Sequence, residues 1–218
     1  MTAPRFHPPR QSRSQETLDR LLDATETVLA EKSFTEATLA EIVERAGVTV
    51  GAFYRRFPDK DALLHHLDER FFAEMHAVAD EVFSVQRWEG DSLRGVVEGF
   101  TRIAVELFRA RRGLMRSLFL RARVDPVLRD SARRLNGHLL HRLTGLLLTR
   151  RDEIRHPDPE RAVALGFIVL LGALRETVLF GEVWPEHART ADAELERELA
   201  RVYLAYLESH ALGPSRER

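Results

Sequence analysis

Thr49, Val50, Gly51 and Ala52, followed closely by Tyr54, Arg55 and Arg56, have types and a spacing that suit contact with a DNA duplex. Four small residues let the backbone approach a sugar-phosphate strand. The Thr49 hydroxyl can serve a phosphate or a base, Val50 can meet a thymine methyl, and Tyr54 and Arg55 can reach a phosphate or a guanine edge. Such contacts need the first turn of a short helix set steeply against its predecessor, which is the geometry of a helix-turn-helix.

The preceding residues are able to build that geometry. Thr38-Leu39-Ala40-Glu41 has the spacing of a capping box that opens a short helix, with Ile42, Val43 and Ala46 on its apolar side. Gly47 can take the left-handed conformation that stops the helix. Thr49 can then cap a second helix over 50–57, with Phe53 and Phe57 facing inward. Pro58 closes it, Asp59 caps a long helix expected to reach about Arg87, and Lys60 adds a cation where the helix dipole favours phosphate. From Arg45 to Lys60 the cations are Arg45, Arg55, Arg56 and Lys60, against one acid, Asp59. On spacing alone, a plain helical hairpin with ordinary caps fits the same residues.

The run from Ser14 to Leu64 closely resembles the DNA-binding domain of TetR-type bacterial transcriptional regulators. The densest match is Thr38-Leu39-Ala40-Glu41-Ile42-Val43-Glu44-Arg45-Ala46-Gly47-Val48-Thr49-Val50-Gly51-Ala52-Phe53-Tyr54-Arg55-Arg56-Phe57-Pro58-Asp59-Lys60. The resemblance implies a homodimeric all-α repressor that binds palindromic double-stranded DNA. It also implies a small-molecule effector in the C-terminal domain that changes the separation of the two reading helices. It assigns Thr38, Tyr54 and Lys60 to phosphate, and Thr49, Val50, Gly51, Ala52 and Arg55 to the groove. One departure is Ser33, where the family has glycine before the aromatic Phe34; a left-handed serine there would cost ~1 kcal/mol.

Composition sets the outer limits. With 218 residues, 44% hydrophobic and 31% charged, the chain can bury a core and is neither disordered nor membrane-embedded in character. The absence of cysteine excludes disulfides, a thiol nucleophile and a thiolate metal site. Residues 1–14 carry Arg5, Arg10 and Arg13 but no apolar signal segment, and the apolar run Ala164 to Leu174 is too short to cross a bilayer, so the expectation is a cytoplasmic protein. The net charge of −1 gives no sign of a polyanion binder, but it averages an acidic first helix and acidic C-terminal helices against a basic tail and the Arg45–Lys60 segment.

Helical periodicity runs through nearly the whole chain, predicting an all-α fold of about nine helices. Residues 1–13 read as a flexible basic tail, 14–60 as the helix-turn-helix domain, with its motif about 38–57, and 61–218 as a helical ligand-binding and dimerisation domain. Within the last, helices are expected over about 92–110, 114–123, 126–151, 160–181 and 191–211. The 160–181 helix is apolar all round and needs cover on both sides. Together with the last helix it offers Phe167, Leu170, Leu174, Val178, Leu195, Leu199, Val202 and Tyr206 for a homodimer interface.

Phe100, Phe108, Phe119, Phe167, Leu171 and Arg175 are candidates for an effector cavity, to which Phe83, Trp88, Phe180 and Trp184 can add aromatic walls. The same aromatics equally suit plain core packing, and Arg175 can instead pair with Glu176 or Glu182. His138 and His141 are spaced to share a metal but lack an identifiable third ligand, so no metal and no cofactor is expected. An all-α enzyme using Arg121, Arg123 and Asp125 is an alternative without a phosphate loop, zinc motif or nucleophile elbow behind it. A DNA-binding regulator not controlled by a small molecule is a second one.

Overall fold

The computed structural model describes residues 10–184 and 190–210, so the expectations placed on residues 1–9 and on the helix end near Ala211 lie outside the described residues. Among the described residues there are nine α-helices and no strand, as the periodicity predicts. The chain divides into two compact units, Met1–Phe71 and Phe72–Arg218, and the division falls inside the fourth helix rather than ahead of it.

The first unit holds α1 (Arg10–Glu31), α2 (Leu39–Arg45), α3 (Val50–Tyr54) and the first half of α4 (Lys60–Val82). Its core is Leu21, Leu22, Val28, Ile42, Val43, Phe53, Phe57, Leu63, Leu64 and Leu67, all buried. The three leucines of α4 explain why the unit extends past Lys60. The α1 helix starts at Arg10, so the last residues of the expected tail, 10–13, are helical. Ser14 lies within α1, and its carbonyl and hydroxyl both accept from Arg56. No described non-glycine residue has positive φ, so Ser33 carries no left-handed strain, and its amide and hydroxyl instead both donate to Glu36.

The second unit is built from the end of α4, α5 (Leu93–Ala110), α6 (Arg112–Arg121), α7 (Pro126–Leu148), α8 (Pro159–Leu174) and α9 (Asp192–Leu207), with α9 packed on α5 and α8. The α4 helix ends at Val82, short of the expected Arg87. The Trp88 indole N–H donates to the Val82 carbonyl at 2.6 Å, and its ring lies against Gly99 of α5, where a Cβ would sit only 2.3 Å from it. The break expected at Gly113 falls at Arg111, whose backbone leaves the helical region while its side chain pairs with Glu74.

The long 160–181 helix is not α-helical throughout, because α8 widens into a π turn over Arg175–Leu179. Two α6 arginines satisfy its freed carbonyls, Arg112 Nε donating to Val178 at 2.8 Å and Arg116 Nη1 to Leu179 at 3.0 Å. Glu182 bridges both guanidiniums, and the Arg116 hydrogen bond holds its carboxyl below the usual range. With the π turn, Pro159–Leu179 is a continuous apolar segment long enough to cross a membrane, unlike the shorter run read from sequence. Close to half of its most apolar stretch is buried inside the chain.

The α8–α9 contact rests on one close approach. The Tyr203 hydroxyl donates to the Val163 carbonyl at 2.6 Å, and its ring covers Gly166, where a Cβ would fall 2.1 Å from Cε2. Burial pushes the Tyr203 phenol far above its ordinary pKa. Gly166→Ala should therefore destabilise the protein by about 1–3 kcal/mol, with Gly99→Ala behaving alike. Urea unfolding of the full chain followed by circular dichroism measures both, and an unchanged midpoint would contradict the close approach.

Candidate nucleic-acid interface

The two short helices are assembled by local hydrogen bonds that the residue types dictate. The Thr38 hydroxyl accepts from the Glu41 amide at 3.2 Å while Glu41 Oε2 accepts from the Thr38 amide at 2.9 Å, completing the capping box. At the other end Gly47 adopts φ 63°, and the amides of Gly47 and Val48 donate to Glu44 and Val43, the paired bonds of a Schellman stop. The Thr49 hydroxyl then accepts from the Ala52 amide at 3.1 Å and opens α3.

The α3 helix ends at Tyr54 rather than at Phe57. Arg55 caps it, and the Phe53 carbonyl accepts from both Arg56 and Phe57, because Pro58 keeps the residue before it out of the helical region. Phe53 and Phe57 are buried as expected, stacked at 5.5 Å. That inward pair turns Thr49, Val50, Gly51, Tyr54 and Arg55 outward, with Ala52 half-buried beside them. Val50 and Tyr54 are 47% and 57% exposed, unusual for such side chains in a unit with a well-filled core, and nothing stands within 4 Å of a Cβ built on Gly51.

The cations are placed unevenly. Arg45 makes a forked pair with Glu31 at 2.5 and 2.8 Å, and Arg56 is held by Ser14. Lys60 donates to the carbonyls of Phe34 and Ala37 at 2.8 and 2.7 Å and lies over the Phe34 ring, so it fastens the start of α4 to the α1–α2 loop. Among the described residues Arg55 makes no ion pair. Sequence reasoning did not find Glu31, Lys32 or Ser14 as partners here, since they lie far along the chain from the groups they bind.

In the second unit the apolar candidates separate into inward and outward faces. Phe167, Leu174, Val178 and Leu195 are buried in the chain's own core, a correction to their placement on an interface, while Leu170, also buried, lies at the floor of an outward groove; a helix apolar all round gives no sign of which face is outward. Leu165, Ile168, Val169 and Val202 are exposed instead, with Leu199 and Tyr206 half-buried. Leu165, Val169, Leu199, Val202 and Tyr206 line a groove of about 200 Å³.

Among the cavity candidates, Phe100 packs edge-to-face on Phe83 and Tyr203, and Phe83 on Phe167, forming core rather than an opening. Phe108 is buried, Phe119 exposed, Leu171 half-buried, and Arg175 pairs with Glu176 at 3.1 Å. His138 meets Asp80 at 2.9 Å and the His76 ring at 4.8 Å, but among the described residues no group of three such side chains is arranged to hold a metal.

Glu41 ties the capping box to α1 through Lys32 Nζ at 2.5 Å. That hydrogen bond, followed by those from the Thr38 amide and hydroxyl, lowers its pKa from 4.5 to about 2. A depressed carboxyl contributes stability above its unfolded pKa and loses it as pH falls through the folded one. The box should therefore survive at pH 4 and open as the pH approaches 2. The Glu41 carboxyl carbon, followed by NMR in the full chain, should titrate well below 4.5; a midpoint at 4.5 would contradict the bond. Thr38→Ala should cost about 1 kcal/mol at neutral pH.

Comparison with known proteins agrees with this geometry. Residues 21–67 match the family described as bacterial regulatory proteins, tetR family. The A-factor receptor protein of Streptomyces griseus is 30% identical over 100 residues, a stretch covering 45% of this chain and 32% of that protein. A TetR-family regulator from Mesorhizobium loti superposes with a TM-score of 0.71 at 21% identity, covering 89% of this chain and 96% of the other. The transcriptional regulator FadR of Bacillus subtilis, in complex with stearoyl-CoA, gives 0.62 at 20% identity, covering 88% and 99%. The two solved relatives are described as transcriptional regulators, and Asp125, placed in the enzyme alternative, serves as the N-cap of α7. The helix-turn-helix head of this chain is a domain of the tetR family of bacterial regulatory proteins, carried on a chain with the fold of that family's solved regulators.

Proposed function

We propose that this protein is a cytoplasmic transcriptional repressor that binds a palindromic operator as a homodimer and is released by a small-molecule effector in its second unit. The observation that carries the reading is the outward set Thr49, Val50, Gly51, Tyr54 and Arg55 on a helix whose angle is set by the Gly47 stop. Thr49, Val50, Gly51, Ala52 and Arg55 face the groove, and Thr38 and Tyr54 serve phosphates. Lys60, which the family pattern assigns to phosphate, spends two of its three donors on carbonyls and contributes mainly by fastening α4.

The homodimer reading draws on the apolar groove between α8 and α9. A row of exposed aliphatic side chains on two adjacent helices is the self-complementary patch a two-fold interface needs. Two reading helices must also stand about 34–36 Å apart to meet successive major grooves, which one chain does not provide. The effector reading is supported by FadR, solved with stearoyl-CoA, and by a relative described as a receptor. In this reading the effector shifts α4, whose first half belongs to the head and whose second half belongs to the other unit. A difference of a few kcal/mol in DNA affinity between the two states is enough.

Gel-shift titration with the DNA upstream of the protein's own gene tests the central claim. Tight binding there and weak binding to unrelated duplexes at moderate salt is expected, and equal affinity for both would sink the reading. Val169→Glu should convert the dimer to a folded monomer by light scattering and abolish binding to the palindrome. A dimer that persists would move the interface elsewhere.

A further inference from the structure

We propose that, among the described residues, Arg20 is a cation through which the head meets a phosphate of the DNA backbone, beside Arg55, whose place in the groove is sharpened to a guanine edge. The inference rests on the DNA-binding reading above and deepens it. Residues 14–71 contain seven cations, Arg20, Lys32, Arg45, Arg55, Arg56, Lys60 and Arg70. Five are engaged within the chain. Lys32 pairs with Glu41, Arg45 with Glu31, and Arg70 with Asp23 and Glu26, while Arg56 is held by Ser14 and Lys60 by two carbonyls. A cation already neutralised by a carboxylate displaces few counterions on meeting a phosphate, because it must first give up its own partner.

Arg20 and Arg55 are exposed, and among the described residues neither has an ion pair or a side-chain hydrogen bond. Their positions differ in a way that separates their roles. Arg20 Nη1 lies 3.8 Å from where a Gly47 Cβ would stand, so α1 holds a guanidinium over the turn that leads into Thr49. It lies beside the reading helix and not on it, a place for backbone charge. Arg55 is the C-cap of α3, next to the exposed Tyr54, and its planar fork matches the O6 and N7 acceptors of guanine.

The test uses the full chain and a duplex enriched by it from a random pool, compared with a scrambled duplex over a range of salt. Arg20→Ala should weaken both duplexes alike and reduce the salt slope by about 1 for each half-site, and Arg20→Lys should restore it. Arg55→Ala should cost roughly tenfold or more on the enriched duplex and relax the preference at one base pair of each half-site, with Arg55→Lys failing to rescue it. Circular dichroism should show both variants folded, since neither side chain bonds to the rest of the head. Should Arg20→Ala leave the salt slope unchanged, or Arg55→Ala weaken all duplexes equally, the inference is overturned while the regulator reading stands. Failure of the unaltered protein to enrich any duplex would overturn that reading and the inference with it.

Discussion

The arrangement of the head depends on one backbone conformation, the left-handed turn at Gly47. A side-chain-bearing residue pays steric energy at φ 63°, while glycine does not, so the chain can reverse between α2 and α3 with both Schellman bonds made. Everything presented outward follows from that reversal. Thr49 begins α3 where the turn leaves it, Phe53 and Phe57 are driven into the core, and the side chains of Val50, Tyr54 and Arg55 are left exposed. The buried aromatic pair and the exposed reading residues are two sides of one helix, so neither can be altered without the other.

A second constraint governs how charge is used. The head has a modest number of cations, and most are spent holding helices together: Lys32 and Arg45 join α1 to α2, Arg56 joins α1 to the end of α3, and Lys60 joins α4 to the loop before α2. Exposed pairs of this kind each contribute little, but they form a mesh around a unit with a small core. The consequence is a surface with few uncommitted positive groups among the described residues. On the proposed function, specificity would rest on shape, hydroxyls, a valine methyl and one guanidinium more than on bulk electrostatics.

The larger unit is organised by contact distance instead of charge. Gly166 beneath Tyr203 and Gly99 beneath Trp88 allow approaches that any side chain would block, and Tyr203 so seated continues into the Phe83, Phe100 and Phe167 cluster. The π turn after α8 belongs to the same scheme, since its open carbonyls are taken by Arg112 and Arg116 of α6. The aliphatic side chains of α8 and α9 left outside this packing form the groove that a second chain can cover.

Sequence alone determined the parts of this protein that are governed by neighbours a few residues apart. The capping box at Thr38 and Glu41, the stop at Gly47, the cap at Thr49, the inward Phe53 and Phe57 and the all-α class all follow from contacts within one helical turn or from a regular period. Tertiary structure decided what depends on distant partners. Arg45 meets Glu31, Arg56 meets Ser14 and Lys60 meets Phe34 across separations that carry no periodic signal, so a row of basic residues gave no sign that most were already paired. The π turn at Arg175 and the outward face of α8 were hidden for the same reason. Each is set by a side chain arriving from another helix, and an all-apolar pattern is identical whichever side it buries.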